Sequence, residues 1–504
     1  MSIHQKMYEI NSRVWLHELN ERFKEKMTLL EVPDKVWASL CDKFDWIWLM
    51  GVWEVSPIEE GLFDRHPGLV YEINEALPGW KAEDVIGSPY SIVQYELNPI
   101  LGKPGDLTKL HKKLNQMGAK LMLDFVPNHF GKASPLVRKN PEYFIHSVTA
   151  PIQNPELFEA IETEEYGTRW IAYGKDPFFS PWDDTFQLNY TNPDTRGHMK
   201  KILIKIASVC DGVRCDMAML CLNEVIKRTW GWFLKDQDLN RPQKEFWEVT
   251  INEVKHHFPD FIFLAEVYWD LQYRLQQLGF DFTYDKRLYD RLKFDPPNVV
   301  RSHLLADLEF QKKSLRFIEN HDEQRAITAF GSREQSLAAA IIASTLPGMC
   351  LYHQGQLEGK TIKLPVQLRQ TKIEPVDKEV QLAYKRVLQY INQEVFQKGK
   401  WAILECSQVS KGNNSWQNLL TYQWTLEERE LLSVVIVNYS PIRSQGRVHI
   451  KLPDYLHNDD FLILYDNMAI ESYLREQKTI QKQGLYVDLQ PFQAYLFNFE
   501  KQDS

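Results

Sequence analysis

Cysteine is scarce in this 504-residue chain: six occur (Cys41, Cys210, Cys215, Cys221, Cys350 and Cys406), and no two stand at C-x-x-C spacing. A disulfide framework or a structural zinc site is therefore disfavoured, and the three thiols between 210 and 221 read as small buried side chains. A basic stripe is missing too. The formal net charge is −9, so the phosphate-neutralising footprint of a nucleic-acid binder is not there. No run approaches the roughly 18 to 20 uninterrupted apolar residues of a membrane helix, and the opening MSIHQKMYEI lacks an apolar core of signal-peptide length. The expectation is a cytoplasmic protein with no membrane or nucleic-acid partner. Nothing resembles a Ser/His/Asp elbow or a glycine-rich phosphate loop, and GKPGD at 102–106 reads as a turn.

What is present is the composition of an ordinary globular protein, 44% hydrophobic and 25% charged, at a length that suggests two or three domains. The 15 Trp, 22 Tyr and 26 Phe can serve large cores and flat apolar ligand faces alike. Eight short apolar runs alternate with helical patterns: YEINSRVWL, FDWIWLMGV, AKLMLDFVPNH, DGVRCDM, FIFLAEVYW, FDFTYDK, SLRFIENHD and GMCLYHQGQ. Between them lie amphipathic stretches, one with Leu107, Leu110, Leu114 and Met117 on a common face and another with Met199, Ile202, Leu203, Ile206 and Val209. Strand-helix units in this number fit a (β/α)8 barrel, an α/β fold, over residues 1–400. The stretch 130–189, rich in Pro, Asp and aromatics, reads as a small excursion after the third strand. From 401 to 504 the pattern turns to period two, as in LLSVVIVNYS, and predicts a C-terminal antiparallel β domain.

Polar residues interrupt the apolar runs late: Asp124, Asn128 and His129; Arg214 and Asp216; Glu266; Asn320, His321 and Asp322. In such a barrel the loops at the C-terminal strand ends form the pocket. Residues two apart on a strand face one way, so Arg214 and Asp216 point together. The arginine would keep Asp216 ionised, while Glu266, set among the aliphatic and aromatic side chains of FIFLAEVYW, would hold its proton. Two carboxyls of opposite assignment, roughly 5 to 5.5 Å apart, are what a retaining glycoside hydrolase requires. The plain alternative is a buried ion pair inside a barrel, which explains Arg214 and Asp216 but not Glu266 and the run 320–322.

With these residues in view, the sequence resembles the α-amylase family of glycoside hydrolases over nearly its whole length. Four short motifs carry the resemblance in order: DFVPNH (124–129), GVRCD (212–216), AEVY (265–268) and ENHD (319–322). FDWIWLMGVWEVSP, GSPYSIVQY, DTFQLNY and PGMCLYHQGQ support it. The resemblance implies that Asp216 is the nucleophile, Glu266 the acid and base, and Asp322 a third carboxylate that binds hydroxyls and favours ring distortion. It further implies that Arg214 orients Asp216, that His129 and His321 hydrogen-bond the sugar, that Tyr90 lies beneath it and that Arg325 contacts it.

Three departures bear on this expectation. Met219 and Leu220 stand where many relatives carry Lys-His, which leaves a transglycosylase of the same architecture as the alternative to a hydrolase. Asn128 matches a calcium ligand of the family, but Gln187 occupies the place of the expected carboxylate, so no metal is assigned. Gly87 replaces an aspartate often found in members that trim terminal glucose, whereas Arg325 is kept. The expected substrate is an α-1,4-glucan or a maltooligosaccharide; a non-catalytic carbohydrate-binding protein is the remaining reading.

Overall fold

The computed structural model describes residues 4–59, 61–234, 244–456 and 461–501. Eight strands close into a barrel: β1 His4–Asn11, β2 Trp46–Met50, β3 Lys120–Phe125, β4 Gly212–Cys215, β5 Ile262–Ala265, β6 Phe282–Tyr284, β7 Ser314–Arg316 and β8 Gly348–His353. Each pairs with its sequence neighbours among the eight, and β8 returns to β1. The registers of β2 with β3, β3 with β4, β4 with β5, β5 with β6 and β7 with β8 are parallel. Strands covered on both faces must be apolar throughout, which is why WIWLM of β2 and IFLA of β5 are buried at every position.

The first strand departs from its sequence reading. YEINSRVWL was expected as one run, but β1 begins at His4 and ends at Asn11, and Ser12–Phe23 is helical. The Asn11 side chain accepts from the Val14 N–H, so an N-cap interrupts what looks like a continuous apolar pattern. Of the face expected for 107–117, Leu107, Leu110 and Leu114 are buried in the helix Asp106–Gln116, while Met117 caps it and is half-buried.

The described residues divide into two compact units. The first comprises Tyr8–Tyr284 and Lys363–Ile373; the second comprises Met1–Met7, Asp285–Ile362 and Glu374–Ser504. In the first, the chain after β3 leaves the barrel as a five-stranded antiparallel sheet whose strands include His129–Gly131, Gly167–Gly174 and Trp182–Gln187. Thr185, Phe186 and Gln187 pair with Gly131, Phe130 and His129, so this sheet is rooted at the exit of β3.

In the second unit, residues beyond 400 form antiparallel sheets of six and three strands. Their inner faces share one apolar core, with Val434, Ile436, Val448, Leu462, Leu464, Val487 and Phe497 among its members. Trp424, on the strand Leu419–Leu426, donates its indole N–H to Thr345 O at 2.8 Å, which ties the six-stranded sheet to the helix Arg333–Thr345. No described helix is long and apolar enough to cross a membrane.

Candidate active site

The register of β4 against β5 sets Arg214 opposite Leu264 and Cys215 opposite Ala265, so Asp216 and Glu266 each follow the last residue of adjoining strands. Backbone bonds extend the ladder past the strand ends: Glu266 N–H donates to Cys215 O at 3.0 Å and Asp216 N–H to Phe125 O at 2.8 Å. Both acids are buried, 7% and 3% exposed, and Arg214 lies between them with no exposed surface. Its Nη1 donates to Asp216 Oδ1 at 2.6 Å. Its Nη2 stands 2.8 Å from Glu266 Oε2, an ion-pair contact off the direct N–H line. Nε donates to the Tyr284 hydroxyl at 3.3 Å.

Aromatic rings enclose the guanidinium: its carbon lies 5.2 Å from the Tyr90 ring centre, 5.4 Å from that of Trp48 and 5.7 Å from that of Tyr284. Burial alone would weaken the guanidinium's hold on its proton. The opposing pull of Glu266 and of the tyrosines and Asp216 around it leaves that hold well above the ordinary arginine value. The buried pair seen in the sequence is therefore a triad of two acids sharing one planar cation, a geometry that a lysine does not reproduce.

The setting of Glu266 is more polar than its apolar sequence neighbours suggest, with hydrogen-bond partners on both carboxyl oxygens. Tyr268 gives its hydroxyl to Oε1 at 2.8 Å, and the Met217 backbone N–H reaches Oε2 at 2.7 Å beside Arg214. Met217 takes a left-handed conformation, φ 40°, in the residue after Asp216, and that turn aims the N–H at the acid. Trp247 Nε1 pins the next carbonyl, Ala218 O, at 2.8 Å. Sequence reasoning passed over Tyr268, Tyr284, Trp48 and the Met217 amide. Of these only Tyr268 carried a signal, two residues past Glu266 on the same side of an extended chain.

Tyr90 and His129 are set by the segments after β2 and β3. Arg13, buried in the first helix, donates to Gly87 O at 3.1 Å and Val366 O at 2.6 Å, which fixes the turn leading to Tyr90. His129 Nε2 lies 3.2 Å from Tyr90 O, and its ring centre is 5.2 Å from that of Trp182. Burial pushes the His129 pKa down to about 4, so its ring is neutral near pH 7. Asp124 is structural: its carboxylate accepts from Trp48 Nε1 at 3.1 Å and from Gly51 N–H at 2.9 Å.

The residues after β7 belong to the second unit. Asn320 Oδ1 accepts from the N–H groups of Asp322 and Glu323, each at 3.0 Å, and forms a tight turn. It leaves Asp322 exposed, while buried His321 holds Nε2 3.1 Å from Asp322 Oδ2. Arg325, expected as a sugar contact, is held by groups of its own unit. It is 5% exposed; Nη1 donates to Glu319 Oε1 at 2.8 Å and Gln354 O at 2.7 Å, and Nε to Ile362 O at 3.1 Å. Glu319 also accepts the Ala326 N–H at 2.7 Å, so the arginine braces the segment that carries Asp322.

The residues near Asn128 do not fit calcium. Gln187 Nε2 donates to Asn128 Oδ1 at 2.8 Å and to Asn128 O at 3.0 Å, while Gln187 Oε1 accepts from Asn128 Nδ2 at 3.2 Å. The two amides satisfy one another with no carboxylate present, whereas calcium takes six to eight hard oxygens. Among the described residues no group of three or more His, Cys, Asp or Glu is arranged to hold a metal.

Comparison with known proteins agrees with this geometry. Residues 82–396 match the family model of the alpha amylase catalytic domain. The Alpha-amylase MalA of Haloarcula japonica is 26% identical over 281 residues, 54% of this chain and 36% of that protein. The alpha-1,4-glucan:maltose-1-phosphate maltosyltransferase of Picrophilus torridus is 22% identical over 283 residues, 53% of this chain and 38% of that one. The chain thus matches well under half the length of these curated relatives. Among solved structures, the maltogenic alpha-amylase AmyB of Thermotoga neapolitana shares the fold with a TM-score of 0.66 at 17% identity, over 98% of both chains. Four ordered motifs on a closed barrel, an arginine shared by two strand-end acids and a family match across most of the barrel lead to one conclusion: the chain belongs to the alpha-amylase family.

Proposed function

We propose that this protein is a retaining glycoside hydrolase that cleaves α-glucosidic bonds of α-1,4-glucans or maltooligosaccharides by double displacement. The observation that carries the reading is the shared guanidinium: Arg214 holds Asp216 at 2.6 Å and Glu266 at 2.8 Å, on neighbouring strand ends. In the first step the Asp216 carboxylate attacks the anomeric carbon and forms an ester bond. The glycosidic C–O bond breaks, its electron pair goes to the leaving oxygen, and that oxygen takes the Glu266 proton. Met217 N–H, Tyr268 OH and Arg214 then receive the Glu266 carboxylate, since they are already set for an acceptor. In the second step Glu266 takes a proton from water, the water oxygen attacks the same carbon, and Asp216 leaves. On this reading Tyr90 offers a flat face to the sugar and His129 meets its hydroxyls, and the family resemblance assigns hydroxyl contacts to His321 and Asp322. Arg325 is assigned to bracing the Asp322 segment.

A second reading, an α-glucan transglycosylase, is favoured by Met219 and Leu220, which are buried and apolar. There a sugar hydroxyl replaces water in the second step, and the resemblance to a maltosyltransferase supports it. Glu266→Gln tests the acid assignment: turnover of maltoheptaose is expected to fall roughly 10²–10⁴-fold while binding persists. An unchanged rate removes Glu266 from the mechanism. Products longer than the substrate in the unmodified protein would decide for the transferase.

A further inference from the structure

Glu9 interrupts the apolar run of β1 and is fully buried, at 0% exposure. Alternation along the strand settles its direction. His4 Nε2 lies 2.6 Å from Ser344 O in the helix Arg333–Thr345, and Lys6 Nζ donates to Asn392 Oδ1 at 2.8 Å, at the end of the helix Lys378–Ile391. The Tyr8 ring stacks on that of Phe44, with centres 4.7 Å apart. The even-numbered side chains thus face the surroundings of the barrel, and Glu9 faces its interior. A carboxyl in that place is costly, and an apolar side chain of similar size would fill the same space without the cost, so the acid calls for a partner.

Glu9, Arg214 and Tyr284 each stand within the last three residues of their strands, β1, β4 and β6, at the end of the barrel that carries Asp216 and Glu266. Tyr284 is the link between the other two. Its oxygen accepts from Arg214 Nε at 3.3 Å, so its own O–H points to another acceptor, and with no exposed surface that acceptor lies inside the protein. Burial holds the phenol proton well above the ordinary tyrosine value; Arg214 pulls against this, while Glu266 and Glu9 add to it. Both Glu266 oxygens already accept, one from Tyr268 and the other from the Met217 N–H beside Arg214. That favours Glu9 as the acceptor for the phenol.

We propose that Glu9 is a positioning residue for Arg214. Its carboxyl accepts the Tyr284 hydroxyl, a lone pair of the phenol oxygen is thereby turned to Arg214 Nε, and the guanidinium is held in the orientation that reaches Asp216 and Glu266. Glu9 acts through the phenol and not on the sugar. The proposal rests on the glycosidase reading above and adds to it the acid that keeps the shared cation in place.

The test is a double-mutant cycle read by turnover of maltoheptaose. Glu9→Leu removes the acceptor at similar size, and kcat is expected to fall about tenfold with KM changed less than about threefold. Glu9→Gln keeps a carbonyl acceptor, and its kcat is expected within about threefold of the unmodified protein. Tyr284→Phe should lose about as much as Glu9→Leu, and the double variant no more than Tyr284→Phe alone. Losses that multiply in the double variant overturn the proposal, as does an unchanged kcat in Glu9→Leu. Glu9→Met, unbranched and without a carbonyl, serves with the same outcomes where the leucine variant does not fold. If the unmodified protein does not turn over maltoheptaose, the glycosidase reading fails on its own account, and urea midpoints decide the link. A double variant no less stable than either single variant supports the Glu9–Tyr284 bond, and additive losses overturn it.

Discussion

Asp216 and Glu266 are both buried, and Arg214 is the cation between them. Its fork reaches Asp216 and Glu266 together, with Trp48, Tyr90 and Tyr284 excluding water from its faces. Arg214→Lys keeps the charge but not the fork, so kcat/KM is expected to drop about 10²-fold or more, in steady-state assays on maltoheptaose. A loss of less than about threefold would mean that the bridge is incidental. His129 gives a second expectation. Its folded pKa, about 4, lies below the unfolded value of about 6.5. The neutral ring therefore contributes stability that is fully present above pH ~6.5 and is lost as pH falls toward 4, on the order of 3 kcal/mol. Denaturant melts of the protein and of His129→Gln between pH 7 and 4 should diverge by about that amount. At this scale the sequence was readable where spacing sets direction, as with Arg214 and Asp216. The hydrogen-bond partners of Glu266 were not readable, because they come from a left-handed backbone turn at Met217 and from a tyrosine beyond the strand. The intrachain partners of Arg325 were not readable, because a loop position does not reveal that Glu319 and Gln354 O close around its guanidinium.

Among the elements, strands with two covered faces declare themselves as continuous apolar runs, and seven of the expected runs contain the observed strands. The first does not, since Asn11 ends a strand and starts a helix inside one apolar pattern. The excursion after β3 was visible in outline only. Its antiparallel sheet is held by pairings far apart in sequence, such as Phe130 with Phe186, which composition does not encode. The Asn128–Gln187 amide pair joins that sheet to the β3 exit. A chelator is therefore expected to leave the melting temperature unchanged. Gln187→Ala, which strands the buried Asn128 amide, should cost about 1–3 kcal/mol by denaturant titration. A chelator-induced fall in melting temperature, with Gln187→Ala neutral, would contradict the amide-pair account.

Across the whole molecule, the change of period near residue 400 marked the antiparallel sheets, and their shared core of Val434, Ile436, Leu464 and Phe497 follows from alternation along each strand. Packing in the second unit carries past that change of pattern. Trp424 meets Thr345 O and the Tyr439 hydroxyl meets Leu292 O, contacts that no local periodicity announces. The proposed function reduces to the stereochemistry of one carbon, because two successive displacements there, by Asp216 and then by water or sugar, would restore the starting configuration. The most direct measurement is proton NMR of maltoheptaose in the first minutes of reaction with the unmodified protein, before the new reducing ends equilibrate. The account expects the α-anomer signal to appear first. A β-anomer signal appearing first would contradict it, since one inversion leaves no place for a covalent Asp216 intermediate.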